Sequence, residues 1–251
     1  MTPARTPAPS GAASRDAVPS DADLEARTAI QPRTRRGAET KAKIFSAAER
    51  TFAEQGYHAA SVSRITERAG VGQGTFYLYF TSKLDLFEQL VVDLNRRVRK
   101  AMSDGAARGR SRAESEREGF REFFAFTAEH PALYRVVREA EQVSPGAMRL
   151  HYERIVDGYR EGLTRARDSG EIGAEVDPEV AAWALMGIGE MIGMRYVLWP
   201  TGESASGTYG ADARSVPEDV FEQMVALVQR ALGTPADVPP PAPAGPPPGA
   251  P

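Results

Sequence analysis

Apolar residues recur along most of this chain three and four positions apart, the spacing of amphipathic helices, and no stretch alternates strictly enough to read as a strand. The first such pattern puts Ile44, Ala48 and Phe52 on one face of a helix from about Ala38 to Gln55, with Gly56 as its C-terminal cap. A second helix starts at Ser61, an N-cap residue, and ends at Gly70, with Val62, Ile65 and Ala69 inward. The turn Gly70-Val71-Gly72 leads to a short third helix ending near Phe80. A fourth begins at Ser82 and reaches about Met102, with Leu84, Phe87, Leu90, Val91 and Leu94 on its apolar side.

A Gly/Arg/Ser-rich break at 105–112 separates a second helical block. A helix from about Glu114 to Glu129 carries Phe120, Phe123, Phe124 and Phe126. Pro131 opens another, to about Val143. A long helix runs from Ala147 to Ser169 and stops at Gly170. Asp177-Pro178, a cap followed by proline at the first helical position, starts one that runs to about Trp199. After a Gly/Ser-rich loop at 200–214, Ser215 and Glu218 stand at capping-box spacing and open a last helix to about Leu232. The expected fold is all-α, with four helices in the first block and five in the second.

The two ends read differently. Residues 1–32 hold five prolines and residues 235–251 hold nine, and such segments bury too little apolar surface to offset chain entropy. A disordered arm is therefore expected over 1–36 and a disordered Pro-rich tail over 234–251. At 251 residues, 41% hydrophobic and 26% charged, the rest has the composition of an ordinary globular protein with one large domain or two modest ones.

Charge changes the picture by its distribution. The net charge is −3, yet Arg33 to Met102 holds thirteen Lys/Arg against seven Asp/Glu. A basic segment on an acidic body suggests a polyanion-binding module joined to a part with another task. The chain has no cysteine, which excludes disulfides, thiolate zinc sites, iron–sulfur clusters and Cys nucleophiles and fits a reducing compartment. Residues 1–32 lack an apolar core of signal-peptide length, so a cytoplasmic location is expected. The run Val180–Trp199 is long enough to span a bilayer, but Glu190 and Arg195 near its middle favour a buried helix, with no membrane partner.

Residues 61–83 carry the most specific signal. Gly70 permits the positive φ that ends the second helix, and Val71 packs back into the core. Phe76 and Phe80, four apart, bury one face of the third helix. The other face shows Gln73, Gly74, Thr75, Tyr77, Leu78 and Tyr79, short or aromatic groups able to approach DNA. This is helix-turn-helix geometry, in which the second helix enters a major groove. Arg33, Arg35 and Arg36, ahead of the first helix, make a basic arm of the kind that enters a minor groove.

The same residues resemble the TetR/AcrR regulators: Ile44, Ala47, Ala48 and Phe52, then Gly56-Tyr57, then Ser61 to Lys83 with its Gly-Thr-Phe-Tyr-Leu-Tyr-Phe run. The likeness is strong over residues 37–97 and only architectural beyond 100. It implies a DNA-binding domain at 37–97, with the helix-turn-helix at 61–80, and a ligand-binding and dimerisation domain at 98–233. It implies that Gln73, Gly74 and Tyr79 face base edges and that Thr75, Tyr77 and Lys83 contact phosphates. It also places Ser61, Ser63 and Arg64 at the backbone or a neighbouring base. Leu78 would read a thymine methyl or nothing. Phe76, Phe80, Val62 and Ile65 hold the module together.

Other chemistries find little support. Gly70-Val71-Gly72-Gln73-Gly74 lacks the third glycine and the preceding strand of a dinucleotide fingerprint. Gly202-Glu203-Ser204-Ala205-Ser206 misses the nucleophile elbow at its last position. His58, His130 and His151 show no metal-ligand spacing and read as surface or helix-end histidines. No catalytic residue, metal or cofactor is expected.

A two-fold operator calls for a self-complementary surface, and the last two helices are the candidates. Gly189, Ile192 and Gly193 on one, with Phe221, Met224 and Val228 on the other, would form a homodimer interface through an intermolecular four-helix bundle. Between them and the fourth helix an aromatic-rich ligand chamber is expected, lined by Phe120, Phe124, Tyr134, Tyr152, Tyr159, Trp183 and Met186. It would suit a small apolar or amphipathic molecule, with Arg135, Arg138 or Arg195 available to an anionic head group. The expected function is a sequence-specific transcriptional regulator, a repressor released from a palindromic double-stranded operator when ligand tilts the fourth helix. A non-specific architectural DNA-binding protein and an enzyme with an incidental helix-turn-helix are the alternatives.

Overall fold

The computed structural model describes residues 34–199 and 215–233. Arg33, the expected N-terminal arm up to it, the loop at 200–214 and the Pro-rich tail after Gly233 lie outside the described residues. Among the described residues the chain forms nine α-helices and no strand. They are α1 (Arg35–Ala59), α2 (Val62–Ala69), α3 (Gln73–Tyr77), α4 (Lys83–Ala106), α5 (Arg112–Glu129), α6 (Ala132–Val143), α7 (Pro145–Asp168), α8 (Pro178–Gly193) and α9 (Glu218–Ala231). A π-helical turn, Met194–Leu198, continues α8.

Local chemistry sets most of the boundaries. Thr34, Ser61, Ser82, Ser111 and Asp177 are N-caps whose side chains accept from main-chain N–H groups of the following turn. Each such cap contributes about 1 kcal/mol. Gly70 ends α2 with φ 67°, as the turn reading requires. Gly56, with φ 77°, interrupts α1 where a cap is expected, after which the chain resumes a helical turn to Ala59.

Some boundaries differ from expectation in place or character, and α3 ends at Tyr77 instead of near Phe80. Thr34 caps α1, so Arg35 and Arg36 belong to its first turn, and Arg35 pairs with Glu39 at 2.9 Å instead of lying in a free arm. The helix from Pro178 does run on to about Trp199, but its last turn, Met194–Leu198, is π-helical, and Trp199 N–H reaches back to the Met194 carbonyl at 3.0 Å. No described helix is long and apolar enough to cross a membrane. Finally, Ser215 caps nothing: Pro217 precedes α9, and its carbonyl accepts the first helical bond from Phe221.

Two apolar cores share the chain. The first gathers Ile44, Phe52, Ile65, Phe76, Phe80 and Phe87 from α1–α4 and the turn after α3, but also Phe126, Leu133, Val136, Val137, Ala140 and Leu150 from α5–α7. The second gathers Phe120, Phe124, Tyr134, Leu163, Leu185, Phe221, Met224 and Val228 from α5–α9. Helix α4 runs through the middle, buried at every position from Asp85 to Asn95. A fully buried leucine there, such as Leu90 or Leu94, contributes about 1.5–3 kcal/mol.

Candidate DNA-binding face and ligand cavity

The α2–α3 pair is built by a few short-range contacts. The Ser61 hydroxyl accepts from Arg64 N–H at 3.2 Å, and Val71 N–H returns to the Thr66 carbonyl at 3.0 Å across left-handed Gly70. Phe76 and Phe80 are both buried, their rings 5.4 Å apart, and Phe80 also meets Phe45 of α1 at 5.4 Å. That fixes which side of α3 is free. Gln73, Gly74, Tyr77 and Leu78 are exposed, Leu78 to 81%. Ser61, Ser63 and Arg64 are exposed at the start of α2, with Arg64 bonded to Gln55 at 2.8 Å. Thr75 and Tyr79 are half-buried, and Tyr79 packs against the first core.

Lys83 is engaged within the chain. Its ammonium donates to the Tyr57 carbonyl at 2.8 Å and the Ala60 carbonyl at 2.9 Å, and sits 4.3 Å from the centre of the Tyr57 ring. Partial burial pulls its pKa below the ordinary lysine value. The amino group satisfies the open carbonyls at the end of α1, so in the free protein it is a staple between α1 and α4.

The second feature is an apolar cavity of about 40 Å³, room for only a few waters. Its walls are Val98 and Met102 of α4, Phe120 and Phe123 of α5, Leu133, Tyr134 and Val137 of α6, His151, Tyr152, Ile155 and Tyr159 of α7, and Leu185, Met186, Gly189 and Glu190 of α8. Phe120, Tyr134, Tyr152, Tyr159 and Met186 therefore lie where the sequence placed them. Two expected members do not. Trp183 points away from the cavity and is 44% exposed. Phe124 is buried one layer behind, stacked on Phe120 at 6.1 Å and edge-on to Phe221 at 6.3 Å.

One carboxylate faces this space. Glu190 accepts from the Tyr152 hydroxyl at 2.9 Å, and its own main-chain carbonyl lies 3.3 Å from the Tyr134 hydroxyl. Burial, helped by the Glu190 charge, pushes the Tyr152 hydroxyl well up from its ordinary pKa. Burial alone pushes the His151 imidazole down to about 4, so it is neutral near pH 7. His151 is thus an interior residue, not the surface histidine expected: Asn95 Nδ2 of α4 lies 3.2 Å from its Nδ1 and donates to its carbonyl at 2.9 Å. The arginines considered for a head group are elsewhere. Arg135 binds the Ala53 carbonyl, Arg138 reaches Met194 Sδ at 3.4 Å, and Arg195 lies over the Tyr196 ring.

Helix α6 belongs to both regions. Its Leu133, Tyr134 and Val137 line the cavity, while Arg135 holds the Ala53 carbonyl and Glu139 accepts from Tyr57 N–H at 2.8 Å. These two side chains bracket Gly56, where α1 is interrupted. A second link joins α1, α4 and α5 through Glu49, Arg97 and His130, with Arg97 2.8 Å from His130 Nε2 and Glu49 3.1 Å from His130 Nδ1. Burial opposes the Glu49 charge, but the bond from His130 and the Arg97 charge outweigh it and hold the carboxyl below its usual range.

The expected interface residues divide. Gly189 and Gly193 are buried within the chain; a β-carbon there would come within 3.0 Å of Phe120 and of the Tyr134 hydroxyl. Phe221 and Val228 are core residues of α9, and so is most of Met224. Small residues here admit the α5 and α6 rings of the same chain, not a neighbour's helix. Of the six, Ile192 is half-buried, and with Met224 it borders an open apolar groove between α8 and α9 that also holds Gly187, Met191 and Leu227. Met191 and Leu227 are each more than half exposed.

A helix-turn-helix presented by an all-helical body is the architecture of a DNA-binding transcriptional regulator. Residues 44–90 match the family described as bacterial regulatory proteins, tetR family. The fatty acid metabolism regulator protein of Bacillus subtilis is 30% identical over 149 residues, 58% of this chain and 77% of that protein. The HTH-type transcriptional regulator YdgC of the same organism is 43% identical over 65 residues, 26% of this chain and a third, 33%, of that protein. The solved structure of the fatty acid degradation regulator FadR from Bacillus halodurans shares the fold with a TM-score of 0.65 at 20% identity, over 82% of this chain and 100% of that one. The chain belongs to the TetR family.

Proposed function

We propose that this TetR-family regulator is a homodimeric repressor that binds a palindromic operator through α3 and leaves it when a small molecule enters the cavity. The observation that carries the reading is the pairing, in one helix, of cavity wall and clamp: α6 lines the cavity with Tyr134 and Val137 and grips the end of α1 with Arg135 and Glu139. In this reading Gln73 and Gly74 meet base edges and Tyr77, Thr75, Ser61, Ser63 and Arg64 set register on the backbone. Tyr79, half-buried, touches DNA with its hydroxyl end at most. Two copies pair through the exposed α8–α9 groove around Ile192, Met191 and Leu227, which spaces the two α3 helices about one helical turn, roughly 34 Å, apart.

Filling a cavity this small must displace its walls. Displacing Tyr134 and Val137 shifts α6, and displacing His151 loosens its bond to Asn95 on α4. Both movements reach α1–α3 through side chains already named, and Lys83 carries the end of α1 along with α4. A change of a few ångströms in half-site spacing then lowers operator affinity. A cytoplasmic location and the absence of catalysis accompany this reading. The apolar lining and the Bacillus subtilis relative named for fatty acid metabolism both favour a ligand with a hydrocarbon part.

The experiment is a selection of genomic DNA fragments by the purified protein at fixed salt. Enrichment of one inverted repeat, lost with Gln73→Ala or Tyr77→Ala, supports the reading. Uniform retention of all fragments with a steep salt dependence replaces it with non-specific DNA binding.

A further inference from the structure

Three residues of the apolar cavity, Met102, Ile155 and Tyr159, also line a groove of about 350 Å³ between α4, α5 and α7. The groove is where the arginines are. Arg99 comes from α4, Arg112 from the first residue of α5 and Arg165 from the last turn of α7, against two acids, Glu116 and Glu161. Arg99 and Arg165 are exposed and form no ion pair with a described residue.

Arg112 is the unusual one. Its side chain is only 15% exposed, and it binds Glu116 through Nη2. Its main-chain N–H donates to Glu171 at 2.7 Å. Its Nε is buried with no hydrogen-bond partner. Gly162 on α7 makes the space for it, since a β-carbon there would strike Nη1, and Gly158 one turn earlier meets nothing within 4 Å. A buried guanidinium with an unfilled donor, beside a second arginine, favours an oxyanion that accepts from both.

The cavity beyond has the opposite character. Its lining is almost wholly apolar, and its one carboxylate, Glu190, repels an anion. An amphiphile therefore has one favourable orientation here. We propose that groove and cavity form a single site for an amphipathic anion, with its hydrocarbon chain between α4 and α8 and its head group on Arg112 and Arg165. Met102 and Ile155 stand at the junction of the two spaces, and an unbranched Met102 side chain is the natural group to swing aside as the chain enters. This assignment rests on the ligand-responsive reading above and names its ligand class.

Four probes with the same ten-carbon chain test it: decanoate, decyl phosphate, decanol and decylamine, each titrated calorimetrically into the full-length protein below its micelle concentration. The expected result is that an anion binds at least about tenfold tighter than decanol and decylamine, the scale of one charge-assisted contact. Arg165→Gln, an exposed position that leaves the core intact, weakens the anion about tenfold and leaves decanol unchanged. Preference between carboxylate and phosphate then identifies the head group. Tightest binding of decylamine overturns the proposal and makes Glu190 the recognising group. Equal affinity for all four, or unchanged anion binding in Arg165→Gln, removes the head-group subsite. If no probe binds while the protein still selects an inverted repeat, the ligand class is wrong and the regulator reading stands. If an anion binds with the expected preference while no DNA is selected, the site stands and the regulator reading falls.

Discussion

The carboxylate of Glu139 on α6 accepts a hydrogen bond from the main-chain N–H of Tyr57, 2.8 Å away and 82 residues earlier in the chain. Tyr57 follows Gly56, whose positive φ breaks the regular ladder of α1, so the N–H that the break would strand is satisfied from another helix. Breaking this bond should uncouple the two ends of the molecule. In Glu139→Ala, operator affinity without ligand stays within a few-fold, while the loss of affinity on adding ligand shrinks about tenfold, a coupling of roughly 1.4 kcal/mol. Fluorescence anisotropy of labelled operator with and without ligand checks this. Undiminished release would take α6 off the route.

Gly74 separates a structural from a DNA-contacting role by sign. A β-carbon at Gly74 meets nothing within 4 Å in the free protein, so Gly74→Ala should stabilise the fold by up to about 1 kcal/mol. Gly74→Val, equally free of clashes inside the chain, should weaken operator binding at least about tenfold, since the added bulk meets only DNA. Thermal melts and operator titrations on the two variants give both numbers. A Val variant with normal operator affinity would remove α3 from close approach.

For Lys83 the structure favours the staple over the phosphate contact. Lys83→Gln should cost about 1–3 kcal/mol of stability, because carbonyls of Tyr57 and Ala60 lose their donor. The slope of log affinity against log salt should match the wild type. A slope lower by about one would mean that Lys83 leaves the α1 carbonyls for a DNA phosphate on binding.

His151 gives the protein an acid sensitivity of known direction. Burial puts its folded pKa at about 4, below the 6.5 of a free imidazole. On acidification the unfolded chain takes up the proton first, so stability falls below about pH 6.5 and this loss levels off below about pH 4. The full effect is about 3 kcal/mol. Urea melts of wild type and His151→Gln between pH 7 and 4 should converge at the acid end. Parallel curves would show that His151 takes up its proton alike in the folded and unfolded chain, against the burial argument.

The exposed α8–α9 groove should be where two copies meet. Leu227→Glu places a charge on an apolar side chain that is 53% exposed, so the monomer fold is kept. Sedimentation should report a dimer for the wild type and a monomer for the variant, with operator affinity lost in parallel. A variant that stays dimeric moves the interface elsewhere.

What the sequence made legible was mostly what acts within four residues. Ser61, Gly70, Ser82 and Asp177-Pro178 mark helix ends by side-chain or φ effects that need no knowledge of the rest, and the α2–α3 turn follows from them. The two faces of α3 were legible too, since Phe76 and Phe80 stand one turn apart. Helix α8 defeats the same logic. It is apolar on more than one side, so its period cannot say that Gly189 and Gly193 face Phe120 and Tyr134 while Trp183 and Met191 face outward. The anchoring of Lys83 and the burial of His151 were not legible for a different reason. Their partners are 26 residues away at Tyr57 and 56 away at Asn95, and nothing in a local pattern announces pairings of that range. The groups lining the cavity were found only where they were aromatic or, at Met186, methionine; Leu133, Val137 and Ile155 look like any other core residues.

The first core does not stop where the helix-turn-helix stops. Phe126, Leu133, Val136, Val137 and Leu150, all well beyond residue 100, help to enclose Ile44, Phe52 and Phe87. Anyone wishing to graft this reading head onto a foreign sensor could not cut within α4 and expect either half to keep its shape. A working chimaera would need the donor's α6 surface, with Arg135 and Glu139 facing Ala53 and Tyr57, rebuilt on the recipient. In such hybrids, the seam to engineer is a patch of side chains between helices and not a point along the backbone.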